Sequence, residues 1–264
     1  IQSVLVPNVN KADEVRLTLI NSLYAQACLS QIKVKNPELG LKICNITAVE
    51  PDTAIASKEV EKVSVLVPMY NASETILATL GCLVEQTWSN LEVIIVDDYS
   101  QDNSCQLVEQ FLDKLPVELK RIWQLLKQPA NKGAYAARNR GALSATGNYI
   151  TVHDADDWSH PQKIEYQVNA LLVAPAKKAS ISFLARADQT LMFTCWRIEE
   201  RWIYRNISSL MVQRSVIEKI GYWDDISAGA DTEYYYRLLR AFGSDAIIEV
   251  LPNVPLSFLL STPD

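Results

Sequence analysis

The chain of 264 residues is 48% hydrophobic and 21% charged, enough apolar material for one large domain with an appendage. Its formal net charge of −6 excludes the broad basic face that a nucleic-acid partner needs, though not a nucleotide, which needs only a few local cations or a metal. Five cysteines, odd in number and never in a CxxC pair, argue against a disulfide framework or a zinc site and set a reducing, cytoplasmic compartment as the expectation.

No apolar run reaches the roughly 18 residues that a membrane helix requires, and no basic-then-apolar leader is present. The sequons at Asn45, Asn71 and Asn206 therefore read as coincidental. A chain that starts at Ile1 and stops at Asp264 reads as an excerpt of a longer protein with further domains. Any attachment to the inner membrane is then expected to run through partners.

Residues 11–33 carry Val15, Leu17, Leu19, Ile20, Leu23 and Tyr24 at helical spacing, with "NPELG" as a stop. Residues 1–45 are thus expected to form an N-terminal helical segment, to which the sequence assigns no role. The stretch to Lys62, "NITAVEPDTAIASKEVEK", has no period and a proline, so 46–62 is expected to be a linker. The main domain then covers 63–264.

From residue 63 the composition changes. "VSVLV" (63–67), "LEVIIV" (91–96), "LKRIWQLL" (119–126) and "NYITV" (148–152) are short β-rich apolar runs. Between them, helices are expected at 73–87, 103–114 and 133–145. Strands apolar on both faces and alternating with helices predict an α/β fold with a mostly parallel sheet flanked by helices.

Ligands of such sheets sit outside the carboxyl ends of the strands. There the sequence places Pro68 and Tyr70, then Asp97 and Asp98, then "NKG" at 131–133, then Asp154, Asp156 and Asp157. Tyr70 offers a face on which a base can stack, although "VPMYN" also suits a plain strand-ending turn. Asp97 and Asp98 come too early to cap the following helix, a job left to Asp102 or Asn103. Their carboxylates can accept from a base N–H or a ribose hydroxyl. Crowded carboxylates in "VHDADDW" suit a divalent cation, while any one Asp can merely shape a loop.

In "NKGAYAARNRGALSATG", Ala134, Ala137, Gly141 and Ala145 make a narrow face for close packing. Lys132 and Gly133 open a helix whose N-terminus favours phosphate. His153 and His160 read as structural hydrogen-bonding residues. Farther on, "GADTEYYYRLLRAFG" joins a loop to a helix with Tyr235, Leu238, Leu239 and Phe242 on its buried side. Asp231 and Glu233 stand at its start, where negative charge suits the helix dipole. A carboxylate there can equally face the crevice as a general base.

The motifs "VSVLVPMYNASETILATLGCLVEQTWSNLEVIIVDDYSQDNS", "NKGAYAARNRGALSATGNYITVHDADDW" and "GADTEYYYRL" stand in the order of the family 2 glycosyltransferases, which the chain resembles over about residues 63 to 245. "HDADDWSHPQKIE" resembles a bacterial subgroup thought to act in surface polysaccharide assembly. The resemblance implies a GT-A fold and an inverting, metal-dependent transfer from a UDP-linked sugar donor to a saccharide acceptor. It further implies that Pro68 and Tyr70 border the nucleobase, with Asp98 bonding it and Asp97 beside it. Arg138 would lie near the diphosphate, Asp154 would reach the ribose and metal region, and Asp156 would bind Mn²⁺ or Mg²⁺. Asp231 would take the catalytic-base position, although this chain reads "GAD" where Gly-Glu-Asp is usual. Two further readings stay open: a nucleotidyltransferase, and a non-catalytic sugar-nucleotide-binding module of a larger polymerase.

Overall fold

The computed structural model describes residues 11–49, 61–120, 122–195 and 201–261. Helix α1 (Lys11–Gln26) stops short of the expected 33. Cys28, at φ 55, turns the chain into β1 (Ile32–Val34), which pairs antiparallel with β2 (Ile46–Ala48). Asn45 closes the intervening loop, its side-chain amide donating to the carbonyls of Asn36 and Gly40 at 2.8 Å each. The N-terminal segment is therefore not purely helical, and 46–48 belong to it rather than to a linker. Residues 50–60 of that expected linker lie outside the described residues.

This segment shares a core with the far end of the chain. Tyr24 is fully buried, and its hydroxyl donates to the Pro255 carbonyl at 3.0 Å. Ile20, Ile32 and Ile46 join Trp158, Leu256 and Phe258 in one apolar cluster. Asn45 and Asn206 are themselves buried, which closes both sequons to modification.

The central strands follow the apolar runs. They are β3 (Val63–Met69), β4 (Leu91–Asp97), β5 (Trp123–Lys127) and β6 (Tyr149–Val152), parallel in the order β6-β3-β4-β5. Every residue of β3 and β4 is buried, as strands covered on both faces must be. The intervening helices are α2 (Ile76–Val84), α3 (Ser104–Lys114), the single turn α4 (Val117–Lys120) and α5 (Ala134–Ser144). The turn α4 takes the first residues of the strand expected at 119–126, which starts only at Trp123. On α5 the small face runs through Ala137 and Gly141, while Ala134 is exposed. A Cβ at Gly141 would lie 3.2 Å from the Leu66 side chain and 3.3 Å from that of Val96, so both side chains would have to give by a few tenths of an ångström to admit one where α5 seats on the sheet.

Beyond β6 come β7 (Trp158–Ser159), α6 (Lys163–Val173), β8 (Ala179–Ile181), β9 (Phe183–Ala187), β10 (Ile203–Arg205) and β11 (Met211–Gln213). Helices α7 (Arg214–Ile220) and α8 (Ala230–Phe242) and strands β12 (Ile247–Glu249) and β13 (Pro255–Leu260) follow. The main sheet has seven strands in the order β12-β8-β11-β6-β3-β4-β5, with β11 antiparallel to both neighbours. A second sheet, β10-β9-β13-β7, packs with the N-terminal segment. Among the described residues no helix is long and apolar enough to cross a membrane.

Glu92 sits inside β4 and accepts from the Ser64 hydroxyl, the Thr146 hydroxyl and backbone N–H, and the Gly147 N–H, besides pairing with Lys62. Burial alone would raise its pKa, but the Lys62 ammonium and these hydrogen bonds outweigh that and hold it down to about 2. A depressed carboxylate stabilises the fold above its unfolded pKa and loses that contribution as pH falls through the folded one. Glu92→Gln is expected to cost on the order of 2 kcal/mol at neutral pH. Thermal melts should show that deficit shrinking as pH is lowered from the ordinary carboxylate range toward about 2.

Candidate functional site

Loops following β3, β4 and β6 converge with the start of α5 around a cavity of about 540 Å³, lined by Pro68, Tyr70, Asp98, Gly133, Asp154 and Asp156 among others. This is the crevice outside the carboxyl ends of the strands where ligands of parallel sheets bind.

At one end, Tyr70 is 48% exposed at the cavity rim. The loop behind it is fastened to the next one. Asn71, at φ 47, donates its N–H to the Ser100 hydroxyl at 2.9 Å, and its side chain accepts from the Gln101 N–H at 2.8 Å. Asp102 accepts from the N–H groups of Ser73 and Ser104 and so both latches this loop and caps α3. Asn103 makes no side-chain cap.

Asp98 is almost fully buried beneath the cavity floor. One carboxylate oxygen accepts from Gln128 Nε2 and the Lys132 N–H at 2.8 Å, the other from the Gly133 N–H at 2.7 Å. Its first effect is to shape the loop that opens α5, where Gly133 sits at φ 90. Since a carboxylate offers about four acceptor positions, roughly one remains for a ligand. Asp97 departs from the expectation that it lies beside the base. It lines no part of this cavity; it accepts from the Ser100 N–H at 3.3 Å and faces Cys105, whose thiol burial and the Asp97 charge push up to about 12.

At the other end, the buried Arg138 donates from Nη2 to Asp154 Oδ1 at 2.8 Å. Its Nε and Nη1 are also buried and have no hydrogen-bond partner among the described residues. Burial opposes ionisation of Asp154, yet the Arg138 cation outweighs it and keeps the carboxyl below the usual range. Asp156 moves the other way, raised by loss of surrounding water and then by the Asp154 charge. Asp157 is buried and raised further by burial and by both neighbours. Behind them Lys163 is buried and its ammonium donates to Ser209 Oγ at 2.9 Å; burial lowers it to about 8. His153 and His160 are buried as well, each engaging a backbone carbonyl, of Asp154 at 3.0 Å and of Ser30 at 2.9 Å.

Among the described residues no group of three or more His, Cys, Asp or Glu is arranged to hold a metal. The donor set still fits a hard divalent cation. Asp154 and Asp156 line one cavity, and one or two carboxylates completed by substrate phosphates is the usual way Mg²⁺ is held. Sequence reasoning missed Arg186 on β9, whose charge offsets only part of the rise of Asp156 and Asp157, and Glu74, Thr75 and Gln189, which line the cavity. Glu74 and Thr75 stand inside the first motif but past its strand end, and Arg186 and Gln189 lie in no motif.

Asp231 stands in the first turn of α8, after Gly229 at φ 83. It is not among the cavity-lining residues. Its Oδ1 accepts from the Tyr135 hydroxyl at 3.0 Å, the Tyr135 oxygen accepts from the Gly229 N–H at 3.1 Å, and the Arg138 guanidinium lies 5.0 Å from the Tyr135 ring centre. A continuous chain of contacts thus runs from Asp231 through Tyr135 and Arg138 to Asp154. Glu233 is held elsewhere by Arg237, at 2.9 and 3.1 Å. The buried side of α8 is carried by Tyr234 and Leu238, with Tyr235, Leu239 and Phe242 only half-buried.

Residues 64–217, more than half of the chain, match the family model described as Glycosyl transferase family 2. The probable glycosyltransferase YdaM of Bacillus subtilis is 31% identical over 202 residues, 69% of this chain and 47% of that protein. The Escherichia coli UDP-Glc:alpha-D-GlcNAc-diphosphoundecaprenol beta-1,3-glucosyltransferase WfgD is 37% identical over 122 residues, 46% of this chain and 44% of that one. The chain spans less than half the length of these curated relatives. Among solved structures, the mannosyltransferase PcManGT from Pyrobaculum calidifontis in complex with GDP-Man and Mn²⁺ superposes with a TM-score of 0.56 at 18% identity, over 90% of this chain and 65% of that one. The mostly parallel sheet flanked by helices is the GT-A fold.

Proposed function

The chain belongs to glycosyl transferase family 2, and on that premise we propose that it moves a sugar from a nucleotide-sugar donor to a hydroxyl of a saccharide acceptor, with a divalent metal and inversion at the anomeric carbon. The observation that carries this reading is one cavity joining the exposed ring of Tyr70 to the Asp154–Asp156 pair. A nucleoside diphosphate has the same order of parts: a flat base, a ribose, then charged oxygens.

In this reading Pro68 and Tyr70 border the base, and Asp98 offers its remaining acceptor position. Asp154, oriented by Arg138, faces the ribose and the metal. Asp156 would hold Mn²⁺ or Mg²⁺ with the donor phosphates, and such an ion supplies Lewis-acid stabilisation of leaving-group charge. Arg138 adds a fixed cation beside that charge. Asp231 takes the proton from the attacking hydroxyl, held in place by the Tyr135 hydroxyl. A UDP-linked donor is favoured by WfgD, whose name specifies UDP-Glc.

Tyr70→Ala tests the nucleotide end. If the ring stacks on the base, nucleoside diphosphate affinity should fall by about 1–3 kcal/mol. The half-exposed ring contributes little to the core, so the melting temperature should hold. Calorimetry showing unchanged affinity in the folded variant would make Tyr70 a turn residue only.

A further inference from the structure

Next to the first cavity lies a second one of about 170 Å³. The two share Glu74, Thr75, Asp156, Gln189 and Leu260. The far wall of the second is Lys42, Ile43 and Cys44, contributed by the N-terminal segment and lying ahead of the family-matched residues 64–217.

That wall is fixed rather than draped. The Ile43 N–H donates to the Gln189 carbonyl at 2.9 Å. Ile43 itself is buried in the cluster containing Trp158 and Leu256, and Asn45 pins the turn that precedes it. Trp158 lines the cavity and is held by stacking on Phe258, with ring centres 5.3 Å apart. The lining combines the apolar surface of Trp158, Ala78 and Leu260 with hydrogen-bonding groups from Asp157, Gln189 and Lys42. A sugar ring has this same division, with an apolar C–H surface and a hydroxyl-bearing edge. The volume admits one such ring but not a nucleotide, for which the neighbouring cavity is sized.

We propose that this second cavity is a pyranose subsite, and that residues 42–44 of the N-terminal segment are its specificity-determining wall. The inference rests on the proposed function, since a donor with its diphosphate at Asp156 would bring its sugar to this opening. The ring can come from the donor or from the acceptor, and the chemistry recognised is the same.

Two variants fill the cavity from opposite walls: Cys44→Phe, at an exposed position, and Ala78→Leu, on α2. Each should leave UDP affinity in the presence of Mn²⁺ within about twofold, which also reports an intact fold. If the ring belongs to the donor, the affinity difference between UDP-sugar and UDP should shrink by about tenfold. If it belongs to the acceptor, acceptor KM should rise by about tenfold at unchanged donor KM. A second measurement needs no substitution. Peptide-resolved labelling of the wild type with N-ethylmaleimide should be slowed at Cys44 by the sugar-bearing substrate and not by UDP, with Cys28 unaffected. Unchanged constants in the filled variants, or unprotected Cys44 at saturating substrate, would overturn the subsite. Failure of the wild type to bind any nucleoside diphosphate with Mn²⁺ would instead overturn the functional reading beneath it.

Discussion

Asp231→Asn is expected to lose about 10²–10⁴-fold in turnover, the ordinary contribution of a general base, with nucleoside diphosphate affinity little changed. Asparagine keeps an oxygen to accept from the Tyr135 hydroxyl and from the Thr232 N–H, so the local geometry survives while proton acceptance does not. Glu233 is the internal control. Its carboxylate is committed to Arg237, which also donates to the Ile220 and Tyr222 carbonyls and to Asp224. Glu233→Gln should therefore stay within about threefold in turnover and cost under roughly 1 kcal/mol in stability, the scale of a helix-terminus charge. Turnover with a working acceptor, nucleotide affinity and melting temperature of both variants decide the matter. An active Asp231→Asn beside a dead, folded Glu233→Gln would reverse the assignment.

Asp156→Asn should lower turnover by at least about 10²-fold, because it removes an anionic oxygen donor while keeping the shape of the loop. Mn²⁺ affinity and affinity for the metal-bound donor should fall together, whereas nucleotide binding without metal should not change. Chelation should silence the wild type, and Mn²⁺ or Mg²⁺ should restore it. Asp156 is exposed and stands outside the apolar core clusters, so thermal stability should be nearly unaffected. Full turnover in excess chelator would remove the metal from the account.

The central half of this architecture was legible because its strands carry their own evidence. The runs at 63, 91 and 148 are apolar on both faces, and a parallel strand covered by helices needs nothing else. Gly141 could be read as a close-approach residue because its neighbours at helical spacing are small. What failed to show was set by distant partners. Strand β11 is three residues long and exists by pairing with β6 and β8, and β1 exists by pairing with β2, so neither has a local period to read. Helix α1 was read past its end because apolar residues that continue its spacing serve β1 and the shared core instead. Within the site, Tyr70, Asp98, Asp154 and Asp156 announced themselves at strand ends. Asp97, also at a strand end, alternates to the other side and faces Cys105. Gln189 reaches the cavity from the loop after β9, and the N-terminal wall from 42–44, through tertiary packing alone, as does Arg186 in bringing its charge to bear on Asp156 and Asp157.

The most direct test of the whole account is to incubate the protein with a panel of nucleotide sugars, Mn²⁺ and saccharide acceptors, and to identify the nucleotide released. The account predicts free nucleoside diphosphate, UDP foremost, formed in step with a glycosylated acceptor of inverted anomeric configuration. Release of pyrophosphate, or tight binding of the donor with no turnover across the panel, would contradict it.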